Sequence, residues 1–324
     1  MLNRGRLILV LLTVMVTLSI GKMAVEQSYD GPGALAVTKN VYIPPGGVAA
    51  VASTLRRAGV IRYALVFELA AWFTRDRGPL RAGEYRFVAH GSLRRILHTL
   101  RFGPAVQHKA TIPDGLTATQ IAAIINTLPR ATGHVAPPPE GSVLPQTYDY
   151  IYGTPRPAIL ARMQRAMRIA LAASWNHRAP DLPLQTPDQA LTLASIVQLE
   201  TPIKAELPKI AGVYENRLSR NMKLQADPTV IFAVTDGQAT ALTHRVDDHD
   251  LAVDSPYNTY LHHGLPPGPI AAPGVSAIDA VLHPEATQDL FFVASGKGGH
   301  MFARTFSEQL ANIARMHART IRHP

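Results

Sequence analysis

The chain has 324 residues, no cysteine, and a net charge of +9 from 32 Lys and Arg against 23 Asp and Glu. That length suits about two domains, and a hydrophobic fraction of 47% is enough for packed cores. The missing thiols exclude a disulfide framework, a thiolate metal site and a cysteine nucleophile.

The N-terminus is basic, then apolar. Arg4 and Arg6 precede an apolar run from Leu7 to Ile20. Continued to Val25 the run reaches a spanning length, and no small-x-small cleavage site follows it. It predicts a transmembrane helix over residues 1–26, with its N-terminus cytoplasmic and the remainder exported. Residues 27–37 contain Asp30-Gly31-Pro32-Gly33 and read as a linker. Val41 to Ile43 reads as a short strand stopped by Pro44-Pro45-Gly46. Val48 to Gly59 and Arg62 to Thr74 have helical spacing, and Gly83 to Val88 alternates as a strand. Ser92 caps a helix to Leu100 with Leu93, Ile96, Leu97 and Leu100 on one face. Residues 51–110 hold eleven basic residues against Glu68, Asp76 and Glu84. Such a surface suits an anionic membrane or polymer, or is simply solvated. No nucleic-acid-binding motif accompanies it, so nucleic acid is not an expected partner.

Ile112-Pro113-Asp114-Gly115 echoes Ile43-Pro44-Pro45-Gly46, and each precedes a helix, the second from Thr117 to Leu128. Pro137-Pro138-Pro139 reads as a rigid connector. Ile159 to Leu171 is a basic amphipathic helix. The next helix has a full set of boundary signals. Thr186 is placed to cap, Pro187 to fill the first turn and Gln189 to complete a capping box. Pro202 ends the run. Glu200 therefore lies in the last turn, where the helix dipole and a desolvated cleft both raise a carboxyl pKa. A carboxyl kept protonated near neutral pH suits a general acid.

Downstream, a helix beginning at Pro208 ends with Asn216-Arg217-Leu218. Leu224-Gln225-Ala226-Asp227-Pro228-Thr229-Val230 follows, then Tyr257-Asn258-Thr259-Tyr260, Gly264-Leu265-Pro266-Pro267-Gly268-Pro269-Ile270, and Phe292-Val293-Ala294 with His300-Met301-Phe302. With Ser195-Ile196-Val197 and Glu200-Thr201 these blocks, in this order, resemble the endolytic murein transglycosylase family (YceG-like). A weaker resemblance extends back to about Val41. Glu140-Gly141 and Thr147-Tyr148 fit the same pattern, with Gln146 where the family usually has Asp.

The chain is thus expected to be α+β: the transmembrane helix read from its own residues and, as the resemblance implies, a small LysM-like βααβ subdomain over 38–110 and a mixed α/β catalytic domain over 111–324. It implies a lyase that cuts the MurNAc–GlcNAc β-1,4 bond of nascent glycan strands and leaves a 1,6-anhydromuramoyl end. Glu200 matches the family's catalytic Glu, and Gln198 stands where many members carry another. Implied partners are peptidoglycan glycan strands and the membrane, with peptidoglycan synthases as further candidates, and the implied location is the inner membrane. Asp227 reads either as a second carboxylate or as a cap opening a helix from Pro228 to Val234. Asn216, Arg217, Gln225, Tyr257, Asn258, Tyr260 and His300 are candidate substrate contacts, each with a structural alternative. No cofactor or metal is expected, because the histidines lack ligand spacing and one Glu can carry both proton transfers. A water-using muramidase and a non-catalytic peptidoglycan-binding scaffold are the competing readings.

Overall fold

The same strand, proline turn and helix device appears twice. Residues Lys39–Ile43 form β1, and after the Pro44-Pro45 turn α1 runs Val48–Arg57. Gln107–Thr111 form β3, and after Pro113-Asp114-Gly115 α4 runs Ala118–Thr127. Thr117 opens α4 with a complete capping box to Gln120. Both carboxylate oxygens of Glu140 also accept from the Ala118 amide, at 2.8 and 3.1 Å.

The computed structural model describes Thr13, Met15, Met23 and residues 27–320. The expected transmembrane helix therefore lies outside the described residues. Among those described, no helix is long and apolar enough to cross a membrane.

Two compact units divide the chain: one reaches His108 and includes Tyr150–Gly153, the other holds Lys109–Asp149 and the chain from Thr154 onward. In the first, α1 is followed by α2 (Ala64–Phe73), β2 (Gly83–Phe87) and α3 (Leu93–Phe102). Strand β2 pairs antiparallel with β1, Lys39 opposite Phe87 and Ile43 opposite Gly83. The order β1-α1-α2-β2 is the βααβ order expected from the sequence. Its core gathers Ile43, Leu55, Phe67, Leu97 and Leu100. The segment read as a linker is partly tied down. Gly33 donates to the His90 carbonyl, His90 donates back to Leu35, and Leu35 is buried.

The second unit is mainly helical. After β4 (Thr147–Ile151), which pairs with β3, come α5 (Arg156–Asn176), α6 (Pro187–Glu200) and α7 (Leu207–Ser219). Next are α8 (Asp227–Thr235), the short α9 (Asp248–Leu251) and α10 (Val275–Leu282). The ribbon β5–β6 (Phe291–Ala294, His300–Ala303) and α11 (Phe306–Thr320) complete it. Helix α6 is its axis. Every residue from Ala190 to Val197 is buried, as an apolar helix without a polar stripe must be. Helices α7 and α10 pack against it.

The helix α6 is also tied to the loop that precedes α10. The Ser195 hydroxyl donates to the Thr192 carbonyl at 2.7 Å and accepts from the Ile270 amide at 3.0 Å. Ser195 and Ile270 are fully buried. Ser195→Ala should therefore cost roughly 1–3 kcal/mol by orphaning a buried amide. The denaturant midpoint should fall with an unchanged slope. An unmoved midpoint would mean that the Ile270 amide finds another partner.

Candidate active site

Helix α6 begins as its sequence predicts, with one difference. The Thr186 hydroxyl accepts from the Gln189 amide at 3.2 Å. The Gln189 side chain, however, accepts from the Gln185 amide at 2.6 Å rather than from Thr186. At the other end Thr201 leaves helical geometry and Pro202 follows, so the last helical residue is Glu200.

Glu200 is half-buried. The Tyr214 hydroxyl, on α7, donates to its Oε1 at 2.5 Å. Burial pushes the Glu200 carboxyl up to about 7. The Tyr214 bond and the charge of Arg217 pull it down, while the charge of Asp227 pushes it further up. Burial, rather than the helix end, leads the rise. Tyr214 is itself buried and its pKa is raised well above the ordinary value, first by burial and then by Glu200. It therefore remains a hydroxyl donor throughout the working pH range. Phe292 of β5 meets the Tyr214 ring edge-on at 5.7 Å and fixes its plane. Tyr214 was not among the residues singled out from the sequence. Its only signal there is its position in the turn before Asn216-Arg217.

Asp227 corrects the cap reading. Helix α8 starts at Asp227 itself, Ala226 takes the cap position, and no side chain caps it. The Asp227 carboxylate is exposed and accepts from the Tyr260 hydroxyl at 2.6 Å. Burial raises the Tyr260 pKa, with the neighbouring Asp227 and Glu200 adding to the effect. Glu200, Asp227, Tyr214, Tyr260 and Arg217 thus act on one another electrostatically. Gln225 is exposed and sits in the left-handed region at φ 49°. A non-glycine residue held there is strained. Its amide nitrogen is fixed by the Thr259 carbonyl at 3.2 Å, which leaves the side chain at the surface.

Other residues chosen from the sequence build the site rather than line it. Arg217 is buried and donates to the carbonyls of Leu290 at 2.7 Å and Leu224 at 2.6 Å. No carboxylate lies within ion-pair distance of it among the described residues. Asn216 donates to the Thr287 and Asp289 carbonyls. Asn258 is fully buried, so it is not placed to meet a ligand. Its amide donates to Leu251 and Val253 and accepts from the Tyr260 amide. Tyr257 packs on Phe232 at 4.7 Å. The neighbouring Thr259, overlooked in the sequence, is buried and accepts from the Ala226 amide at 3.0 Å.

His300 holds the turn after Glu200. Its ring and its backbone amide both meet the Glu206 carboxylate, at 2.8 and 2.9 Å. Glu206 in turn accepts from the Thr201 hydroxyl at 3.1 Å. Burial works upward on Glu206, yet these bonds hold its carboxyl below the ordinary value. Gln198 accepts from the Gly274 amide at 3.0 Å. The turn Gly264–Pro269 lines a cavity of about 660 Å³, with Thr192 and Leu218 on other sides and Glu200 not among its lining residues. His244, Asp247 and Asp250 bring side-chain atoms together, but Asp247 and Asp250 form the capping box of α9.

A sequence model of the YceG-like family matches residues 41–315. The chain belongs to this family. Among its relatives is a protein of Bacillus subtilis named endolytic murein transglycosylase. It is 30% identical over 304 residues, covering 84% of this chain and 82% of its own. A Streptococcus pneumoniae protein of the same name is 28% identical over 308 residues, and the match spans 55% of its length. A crystal structure of a YceG-like protein from Listeria monocytogenes superposes with a TM-score of 0.52 at 28% identity. It covers 85% of this chain and 99% of that one.

The coupled groups give two expectations. Removing the Tyr214 hydroxyl removes a bond that favours the anion. In Tyr214→Phe the Glu200 carboxyl should titrate above about 7 by carbon-detected NMR, and in Asp227→Asn below it. Shifts of the opposite sign would separate these groups from Glu200. The second expectation is stability. A folded pKa raised from 4.5 to about 7 means that folding loses stability as pH rises across that window. Glu200→Gln should thus be roughly 1–3 kcal/mol more stable than the parent at pH ~8 and show no gain at pH ~4. Equal gains at both pH values would point to packing instead.

Proposed function

We propose that the chain is a membrane-anchored lytic transglycosylase that cleaves nascent peptidoglycan strands internally. Glu200 donates its proton to the glycosidic oxygen of the MurNAc–GlcNAc β-1,4 bond as the bond from C1 to that oxygen breaks. The resulting carboxylate then accepts the proton of the muramyl 6-hydroxyl while that oxygen attacks C1. The product is a 1,6-anhydromuramoyl end, and no water is consumed. Attack by a hydroxyl of the same sugar is intramolecular, so positioning supplies much of the rate. Tyr214 holds the carboxyl in place and, after proton donation, stabilises the anion that must act as base. The observation that carries this reading is the Glu200 carboxyl at the end of α6, poised at about 7 and bonded by a buried tyrosine. The names of the Bacillus and Streptococcus relatives support it.

Residues 1–26 serve as the inner-membrane anchor in this reading, with the second unit periplasmic. The βααβ subdomain contacts glycan as LysM-type modules do. A water-using muramidase is the second reading, favoured by one observation. Asp227 caps nothing and is exposed beside the site, where a second carboxylate could activate water.

Product mass decides between them, because the anhydro end is lighter by one water. The wild-type chain should release anhydromuropeptides from purified murein. Glu200→Gln should lower the rate by at least about a hundredfold, and Asp227→Asn should lower it less. Hydrated ends would select the muramidase. Undiminished anhydro product from Glu200→Gln would remove Glu200 as the proton donor.

The rate profile should also carry the site's signature. The alkaline limb of kcat/KM should lie near pH 7, falling as Glu200 loses its proton. A limb near the ordinary carboxyl value of about 4.3 would contradict this poise.

A further inference from the structure

We propose that α2 and the groove beside it rest in the interfacial layer of an anionic bilayer, giving the first unit its own membrane contact. This rests on the anchor reading of residues 1–26 and adds a second site to it. Helix α2 reads ALVFELAAWF, and only Phe67 and Ala71 are buried. Leu65 is 67% exposed, Leu69 50%, Trp72 55% and Phe73 72%. Single exposed apolar residues are ordinary, whereas five on one ten-residue helix, Val66 included, form a patch that calls for a partner. Beside them lies a groove of about 500 Å³ walled by Tyr29, Val66, Leu69, Phe73 and Leu93.

Charge identifies the partner. Residues 51–110 carry eleven basic and three acidic side chains, a difference of eight within a chain of net +9. Arg62 precedes the helix, and Arg75 and Arg77 follow it, all three exposed, with the exposed Asp76 between the last two and the half-buried Glu68 on the helix itself. The Arg75 guanidinium lies over the Trp72 ring at 4.4 Å. Apolar and aromatic side chains bordered by arginines are the composition of an interfacial helix on anionic lipid. A second copy on this face would set like-charged arginines against one another. Tyr29 also lies soon after the apolar N-terminal run, so the groove opens close in sequence to where the chain meets the bilayer.

The chain's two tryptophans, Trp72 and Trp175, allow a direct test. Full-length Trp175→Phe and Trp72→Phe chains would be placed in vesicles of phosphatidylethanolamine and phosphatidylglycerol with brominated acyl chains. Flotation reports anchoring. Trp72 emission should fall by roughly half or more and resist aqueous iodide, as for an aromatic at the acyl boundary. Trp175 should be unaffected by bromine. A chain that floats while Trp72 stays bright and iodide-accessible overturns the contact and leaves the anchor intact. Trp72 shielded from both quenchers also overturns it and places protein in the groove, either a second copy or the N-terminal segment. Failure to float overturns anchor and contact together.

Discussion

The site depends on a carboxyl that α6 delivers to a place where it does not readily ionise. An apolar helix must be buried on every side, so its last turn emerges from the core rather than from solvent. Glu200 arrives there with one neutral donor, the Tyr214 hydroxyl, and one neighbouring acid, Asp227. Asp227 reinforces burial and Tyr214 opposes it, and their balance leaves the carboxyl close to neutrality. A fully buried carboxyl without a donor would rise further and make a poor base. An exposed one would be ionised and make no acid.

Keeping that balance requires the surrounding loops to stay still, and buried polar side chains do this. Asn258 closes the turn that presents Tyr260, Thr259 anchors the start of α8 beside Asp227, and the His300–Glu206–Thr201 chain fixes the residue after Glu200. Each meets backbone groups or neighbouring side chains, so the polar atoms are satisfied where they are buried. Glu215 is a different case. It is buried on α7, its Oε1 has no hydrogen-bond partner among the described residues, and burial pushes its carboxyl up to about 8.

Much of this was legible in the residues. Thr186, Pro187 and Pro202 mark α6 to within a residue, because caps and prolines act locally, and Glu200 follows at its end. The device of strand, turn and helix around Pro44 and Pro113 was equally readable. Tyr214 was not, since its bond to Glu200 exists only through the packing of α7 on α6. For Asp227 the cap alternative fails because its carboxylate finds Tyr260, thirty-three residues on, in place of its own backbone. Asn258 looked like a sugar contact, and only the fold reveals that it is interior. The hairpin β5–β6 has a legible signal, a glycine-rich turn between two apolar runs.

Arg217 has a consequence for how this site tolerates change. Its guanidinium reaches carbonyls in two separate loops, with the Phe291 ring 5.3 Å away. A lysine keeps the charge but offers a compact ammonium without the planar fork. It would satisfy one loop and release the other. The positive charge acting on Glu200 would survive while the frame around it loosened. At this position shape, more than charge, limits which residues sequence drift can accept.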